Sequence, residues 1–197
     1  MMKGLILLIT ILFAGCGSAP PILMPTADGP SASGSEVIRV FVKPINTKGF
    51  GSEDKRKWGI DLSAHFTAFE VRVMNNTRKE ILFEPLHTFL IDDQNRKHPS
   101  LDRAESVRYY TEGDQKTLFA LIPKSEWQLG RDTDIIQNGV ITGGVIQPGS
   151  QRKGLLLFKK MSAEHCQKVV LTLNGITVIK TREEKRFTFP LSCKEEN

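Results

Sequence analysis

Residues 69–73 read Phe-Glu-Val-Arg-Val, and this stretch decides the fold class. Its apolar residues are Phe69, Val71 and Val73, and its charged residues are Glu70 and Arg72. Strict alternation is typical of a β-strand with one face on a core and the other in water. Phe66 falls out of phase with this pattern, which predicts a bulge or a change of sheet near Thr67.

Similar patterns recur on both sides of this stretch. Residues 38–42 and 187–191 alternate in the same way, whereas residues 155–158 are apolar at every position. The continuous run predicts a strand that is buried on both faces. Pro190 indicates that the last strand lies at the edge of its sheet. Because no helix–strand alternation is present, we expect a mainly β fold, an antiparallel β-sandwich.

A partly helical excursion, residues 99–147, interrupts the strands. Residues 100–110 have apolar side chains at helical spacing, with Ser100 as a candidate N-cap, and residues 132–140 predict a second short helix. The excursion contains the aromatic residues Tyr109, Tyr110 and Trp127. A long excursion from a β domain either packs on the core or forms the binding site, and the sequence leaves both interpretations open.

Three segments follow one another in a recognisable order. Residues 69–77 end in Asn-Asn-Thr, residues 90–96 end in an Asp-rich turn, and in residues 145–158 a Pro-Gly turn precedes Gly, an apolar run and Phe. This set resembles the immunoglobulin-like domains of bacterial surface lipoproteins. The resemblance implies an immunoglobulin-like β-sandwich, which we assign to residues 36–193 with a tail at 194–197. Such domains usually bind proteins or ligands.

The amino terminus is typical of an exported protein. Lys3 precedes an apolar run of nine residues, Leu5 to Phe13. A membrane-spanning helix needs about 20 residues, so we expect a secretory signal peptide over residues 1–15. Residues 17–35 are rich in Pro, Gly, Ser and Ala, which predicts a flexible linker that holds the domain away from its anchor.

The end of the signal peptide reads Leu12-Phe13-Ala14-Gly15-Cys16. It resembles the lipobox of bacterial lipoproteins, although Phe13 stands where Leu is commonest. The resemblance implies that the Cys16 thiol takes a diacylglycerol and that its freed amine is often acylated too, so that residues 16–35 form a lipidated N-terminus and linker. Two or three acyl chains anchor a protein stably. Gly17 rather than Asp resembles the pattern of outer-membrane lipoproteins that face the periplasm, if the organism is Gram-negative. The alternative is ordinary secretion with cleavage nearby.

The remaining cysteines form an even pair. If Cys16 carries lipid, Cys166 and Cys193 are left, which suggests one disulfide in an exported protein. The flanking strands are expected to pair antiparallel, with Leu171 opposite Thr188, so that the two thiols face each other across the open end of a hairpin. The alternative is two buried free thiols.

The sequence contains no catalytic motif that we recognise. It lacks a nucleophile elbow, a dinucleotide fingerprint and a phosphate loop, and its four histidines show no i, i+4 pair. We therefore expect no enzymatic activity, no cofactor and no metal site. The 27 basic and 22 acidic residues are intermixed, so we also expect no nucleic-acid binding.

These observations predict a non-catalytic, lipid-anchored accessory protein of the bacterial envelope, attached to the membrane through acyl chains on Cys16. Its domain would bind a protein partner through sheet edges or through the excursion. The alternative is a small envelope ligand or metal, held between the excursion and the sandwich by Tyr109, Tyr110, Trp127 and the histidines. An enzyme with an unfamiliar motif is the third hypothesis.

Overall fold

The computed structural model describes residues 22–25, 32–34, 37–46, 53–116 and 124–194. The predicted signal peptide, Cys16 and most of the predicted linker and tail lie outside the described residues. The described strands are β1 (Ile22–Pro25), β2 (Ala32–Gly34), β3 (Ile38–Pro44), β4 (Phe66–Asn75), β5 (Ile81–Phe83), β6 (Thr88–Ile91), β7 (Lys97–Pro99), β8 (Gly144–Ile146), β9 (Gln151–Lys159), β10 (Val169–Val178) and β11 (Glu183–Lys194). The described α-helices are α1 (Glu53–Trp58), α2 (Leu62–His65), α3 (Arg103–Lys116) and α4 (Glu126–Gly139).

Two antiparallel sheets form the predicted sandwich. Sheet A has the order β1-β11-β10-β5-β8, with β6 paired to β10 and β7 paired to β6. Sheet B has the order β2-β3-β4-β9. Apolar side chains from both sheets, among them Val71, Phe158 and Leu171, meet in one buried cluster. The alternation that begins at Phe69 is confirmed, because Phe69, Val71 and Val73 all face this core.

A helical layer covers part of the outer face of sheet B. Phe66 and Ala68 on β4 and Leu155 and Leu157 on β9 join a second buried cluster, with Tyr110 and Ile136 from the helices. Residues 155–158 are therefore buried on both faces, as the apolar run predicts. The expected bulge or change of sheet near Thr67 is wrong: β4 pairs with β9 from Phe66 to Met74 without a shift in register, and Phe66 faces the helices instead of the sandwich core.

The excursion contains both predicted helices, and each is longer than expected. The first begins at Arg103, and its N-cap is Asp102 rather than Ser100. The Asp102 carboxylate accepts from Glu105 N at 2.7 Å, while the Glu105 carboxylate accepts from Asp102 N at 3.1 Å. The Ser100 hydroxyl donates to the Pro85 carbonyl at 2.8 Å and so links the excursion to sheet A.

Cys166 and Cys193 form a disulfide at one end of the β10–β11 pair. The strands are antiparallel as expected, but Leu171 lies opposite Phe189, one residue away from the predicted register. The difference arises because Cys166 follows a 3₁₀ turn, before β10 begins, so its position does not extend the ladder. Cys193 N nevertheless donates to the Cys166 carbonyl at 2.9 Å.

Two strands lie within the stretch that was expected to be a flexible linker. Strand β1 pairs with residues 191–194 of β11, and β2 pairs with β3. Pro190 thus lies just before the β1 ladder, and β11 is an outer strand of sheet A only up to that point. Within the described part of the chain, no helix is long and apolar enough to span a membrane.

Candidate binding groove

Tyr110 and Tyr109 lie between the helices and sheet B. The Tyr110 side chain is fully buried; its hydroxyl donates to Asp132 Oδ2 at 2.7 Å, and its ring meets the His65 ring edge-on at 4.7 Å. The Tyr109 ring lies 5.6 Å from that of Phe66, and its hydroxyl accepts from Lys160 N at 3.2 Å. Both tyrosines therefore pack the helical layer onto the sheet.

Asp132 is a buried carboxylate on α4 that fastens this layer. Besides the Tyr110 bond, it accepts from Lys124 Nζ at 3.2 Å and from Arg131 Nη2 at 3.0 Å. Burial raises the pKa of Asp132, but the hydrogen bonds from Tyr110, Arg131 and Lys124 outweigh that effect and hold its pKa below the ordinary value. Lys124 also contacts the Tyr110 hydroxyl. The carboxylate is thus charged and fully engaged in holding α4 to α3.

Trp127 is separate from the tyrosines. It lies at the start of α4 with 71% of its surface exposed, and the Arg131 guanidinium stacks on its indole ring at 5.2 Å. Among the described side chains, no ring contact joins Trp127 to Tyr109 or Tyr110. The structure therefore brings together Tyr109, Tyr110 and His65, but not the whole set of aromatics and histidines.

The remaining histidines lie elsewhere. His98 bonds the buried Asp92 carboxylate at 3.0 Å, and His165 lies 3.8 Å from Asp93. His87 is exposed beside Glu84. Within the described ranges, no group of three or more His, Cys, Asp or Glu side chains could hold a metal ion.

A groove of about 600 Å³ lies between the excursion and sheet A. Three segments form its walls: the end of β5 with the turn after it, the start of α3, and the connection from α4 to β8. The lining residues are Leu82, Glu84, Pro85, Leu86, His87, Leu101, Asp102, Arg103, Ala104, Val140, Ile141, Thr142, Gly143 and Gly144. We call this feature the excursion groove.

Backbone hydrogen bonds fix two of these walls on β9. Leu101 N donates to the Leu157 carbonyl at 2.8 Å, and Ile141 N donates to the Leu155 carbonyl at 2.9 Å. The close approach requires Gly154, because a Cβ there would lie 2.9 Å from the Ile141 Cα and the Gly139 carbonyl oxygen. The two ends of the excursion thus cover the edge of sheet B that β9 would otherwise expose.

The third wall depends on another glycine. Glu84 N donates to the Gly175 carbonyl at 2.7 Å, and a Cβ on Gly175 would lie 2.0 Å from the Glu84 carbonyl oxygen. Glycine at this position lets the turn that carries Pro85, Leu86 and His87 lie directly against β10. The turn therefore has a fixed position beside the groove.

At the edge of sheet A beside the groove, backbone carbonyls at and before β8 already accept hydrogen bonds from side chains. The Arg152 guanidinium donates to the carbonyls of Thr142 and Val145 at 2.9 and 3.1 Å, and to that of Gly143. The buried Asn75 amide donates to the Ile146 carbonyl at 2.9 Å. These bonds use the carbonyls at and before β8, so a partner strand is disfavoured at this edge.

Apolar side chains remain exposed at the rim of the groove. Leu86 is 55% exposed and Val145 is 41% exposed, and Val145 pairs across the ladder with Leu82, which lines the groove. Glu84, His87 and Arg103 add charged and ionisable groups around them. The chemistry that this arrangement offers is the burial of apolar side chains, with polar groups at the rim for orientation.

The second hypothesis from the sequence places a ligand between the excursion and the sandwich, but it names only one of the residues, His87, that line this groove. Its walls lie about 60 positions apart in the chain, from Leu82 to Thr142, and nothing local shows that they meet. The Glu84-Pro85 and Gly143-Gly144 pairs are turn signals, which could have marked both walls as fixed turns but not as one site.

The chain has distant likenesses among solved structures. No protein-family profile matches it, and no curated protein matches it by sequence. A Listeria monocytogenes protein of unknown function is 11% identical, with a TM-score of 0.42, over 88% of this chain and 89% of that one. The candidate lipoprotein ycdA of Bacillus subtilis is 12% identical, with a TM-score of 0.45, over 85% of this chain and 40% of that one.

A third structure, yjhA from Bacillus subtilis, is 11% identical with a TM-score of 0.41, over 79% of this chain and 93% of that one. At identities near 11% and TM-scores below 0.5, these likenesses carry no argument about what this chain does.

Proposed function

We propose that this chain is a non-catalytic, lipid-anchored binding protein of the bacterial envelope, and that its excursion groove takes an apolar segment of a partner protein. The observation that carries the proposal is the groove itself, a fixed concave site with exposed Leu86 and Val145 at its rim. Exposed apolar side chains beside a concave surface, rimmed by polar residues, mark interaction sites.

The anchor in this proposal is Cys16. Its support is the resemblance of residues 12–16 to a lipobox at the end of a short apolar run. If the bacterium is Gram-negative, Gly17 favours the outer membrane, with the domain facing the periplasm. The proposal gives the molecule an attachment at its amino terminus and a binding site in its domain.

The groove lies far from the attachment along the sheets. In sheet A, β1 is at one end of the main strand order and β8 is at the other. Because β1 is the first described strand after Cys16 and Gly144 of β8 lines the groove, the two features lie at opposite edges of the sandwich. A partner could therefore reach the groove while the chain is anchored.

A small apolar ligand is the second candidate for the groove. A volume of about 600 Å³ lies within the range of small-molecule sites, roughly 300–1,000 Å³. The exposed Leu86 and Val145 extend the apolar surface beyond the groove itself, which favours a segment of a partner protein over a small ligand.

Site-specific photo-crosslinking in the native bacterium tests the groove. A photoreactive residue replaces Leu86 in one strain and Trp127 in another, since both side chains are large, apolar and exposed. We expect one protein adduct from position 86 and none from position 127. Ala104→Arg, on the exposed groove side of α3, should abolish that adduct because it fills the groove with a charged side chain.

Two outcomes would count against the partner protein. Equal adducts from positions 86 and 127 would indicate random encounters, and a low-mass adduct confined to position 86 would assign the groove to the small ligand. Melting curves of the Ala104→Arg variant show whether it is folded, because a loss of the adduct is informative only in a folded protein.

A further inference from the structure

The outer face of sheet B is only partly covered by the helices. On the uncovered part, Arg72 of β4 lies between Phe41 of β3 and Lys153 of β9, and Met74 lies opposite Arg39. These side chains alternate along their strands with the buried core residues and so point away from the core. We call Arg39, Phe41, Arg72, Met74 and Lys153 the basic face.

The basic face has an excess of positive charge. Arg39 and Arg72 are exposed and make no ion pair with any described residue. The nearby carboxylate of Glu70 is held by Lys153 at 2.9 Å and by Lys57, and Asp54 is held by Lys43 at 3.0 Å. The acids beside the face are therefore already matched by lysines, and the two arginines remain as unneutralised charge.

Apolar side chains lie among these charges. Phe41 and Met74 are half-buried, and each is the cross-strand neighbour of an arginine. Guanidinium groups beside an aromatic ring and a flexible apolar side chain suit the boundary between phosphate headgroups and acyl chains. The sequence pattern does not predict this face, because its five residues come from three separate strands.

The start of the described chain limits how far the domain can lie from a bilayer. Strand β1 begins at Ile22, six residues after Cys16. Six residues span at most about 20 Å, at roughly 3.3–3.6 Å per residue. An anchored Cys16 would therefore hold the domain close to the headgroups, not at the distance that a 20-residue linker would allow.

The same end of the chain borders the basic face. Strand β1 lies against β3, and β2 pairs with β3 so that Ala32 is opposite Phe41 and Gly34 is opposite Arg39. Strand β2 thus forms the edge of sheet B next to the basic face, and β1, at the end of sheet A, lies beside it. The excursion groove lies beyond β9, at the other edge of this sheet.

We propose that the basic face lies on anionic phospholipid headgroups of the membrane to which Cys16 attaches the chain. This inference rests on the anchor proposed above. Positive charge on the face complements the negative surface of the bilayer, and the short reach from Cys16 brings that surface within contact distance. The orientation leaves the groove open to a partner.

Vesicle flotation tests the inference with residues 17–197, which include every described strand and helix and omit Cys16. Vesicles of phosphatidylcholine alone are compared with vesicles of equal parts phosphatidylglycerol and phosphatidylcholine. We expect binding to the anionic vesicles at least tenfold tighter than to the neutral ones, and weaker as salt is raised. The double variant Arg39→Glu, Arg72→Glu should lose at least tenfold of the affinity for anionic vesicles.

The matched control is Lys180→Glu, Arg182→Glu, which reverses two exposed charges at the β10–β11 turn. It should keep the affinity of the unchanged chain. Loss of binding in the control as large as in the face variant would show unspecific attraction and overturn the inference, as would equal binding to both kinds of vesicle. Preference for a single-stranded oligonucleotide over anionic vesicles would assign the face to nucleic acid and overturn it too.

Neutral replacement, Arg39→Gln with Arg72→Gln, keeps the test valid if the charge-reversed variant does not fold. Since none of these chains carries Cys16, failure to bind vesicles would refute the basic face and leave the anchor untouched. Failure of the anchor, in contrast, would appear only in the mass of the amino-terminal peptide.

Discussion

At the scale of single residues, Asp92 is a buried acid whose carboxylate is held by four hydrogen bonds. Its buried carboxylate accepts hydrogen bonds from Gln94 N at 3.0 Å, from Arg96 N at 2.8 Å and from the Arg96 side chain at 2.7 Å. His98 bonds the same group. Burial raises the pKa of Asp92, but the bonds from His98 and Arg96 outweigh it, so the pKa lies well below the ordinary value.

We predict that Asp92→Asn lowers the free energy of unfolding at neutral pH by about 2 kcal/mol, the value of hydrogen bonds to a charged group. A depressed pKa stabilises the fold above the ordinary pKa of Asp, 3.8, and that stabilisation is lost as the pH falls below it. Urea denaturation between pH 7 and pH 2 should therefore show a steep loss in the unchanged chain and a flatter one in the variant. Parallel curves would contradict this assignment.

Gly175 is the residue on which the turn beside the groove depends. We predict that Gly175→Ala lowers the free energy of unfolding by about 3 kcal/mol, because its Cβ would overlap the Glu84 carbonyl and the backbone would have to move. The control is Gly113→Ala on α3, where a Cβ meets nothing within 4 Å. That change should raise stability by up to about 1 kcal/mol through helix propensity. Equal effects in urea denaturation would refute the close approach.

At the scale of elements, α3 and α4 form a structural layer instead of a collection of binding residues. We predict that Tyr110→Phe lowers the free energy of unfolding by about 1–2 kcal/mol, because the buried Asp132 carboxylate loses a donor. Trp127→Ala should change it by less than about 0.5 kcal/mol, since the indole is mostly exposed. Chemical denaturation distinguishes the two, and a large loss in Trp127→Ala would place that residue in the packing after all.

The elements that sequence patterns predicted well are those with a complete local signal. The strand at 69–73 is predicted by the alternation of its own residues, and the doubly buried run at 155–158 by the apolar character of its own residues. The helix after residue 100 has helical spacing and an Asp–Glu capping pair that begins two residues into the predicted segment. In each case, short-range chemistry and the final environment agree.

The elements that were misjudged depend on distant contacts. Phe66 does not fit the alternation because helices cover that end of β4, and no residue near Phe66 in the sequence predicts that helices pack there. The β10–β11 register is shifted since a 3₁₀ turn takes Cys166 out of the ladder. Strands β1 and β2 have the composition of a linker, and they form because they pair with β11 and β3. Most residues that line the groove were not predicted for the same reason, although a site between the excursion and the sandwich was one hypothesis.

At the scale of the whole molecule, the two proposed surfaces lie at different sides of the sandwich. The chain enters at the edge formed by β1 and β2, beside the basic face, and the groove opens at the edge formed by β8 and β9. Attachment and binding would then not compete for the same surface. This arrangement makes sense only if the amino terminus is fixed to a membrane, so the modification of Cys16 is the central claim.

Mass spectrometry of the amino-terminal peptide, from protein purified out of the native membrane fraction, tests that claim most directly. We predict that the chain begins at Cys16, that this residue carries a diacylglycerol thioether and that its amine is acylated. Cys16→Ser should leave a folded chain with none of these groups, released from the membrane fraction. A chain that begins at another residue, or a Cys16 with a free thiol, would contradict the account.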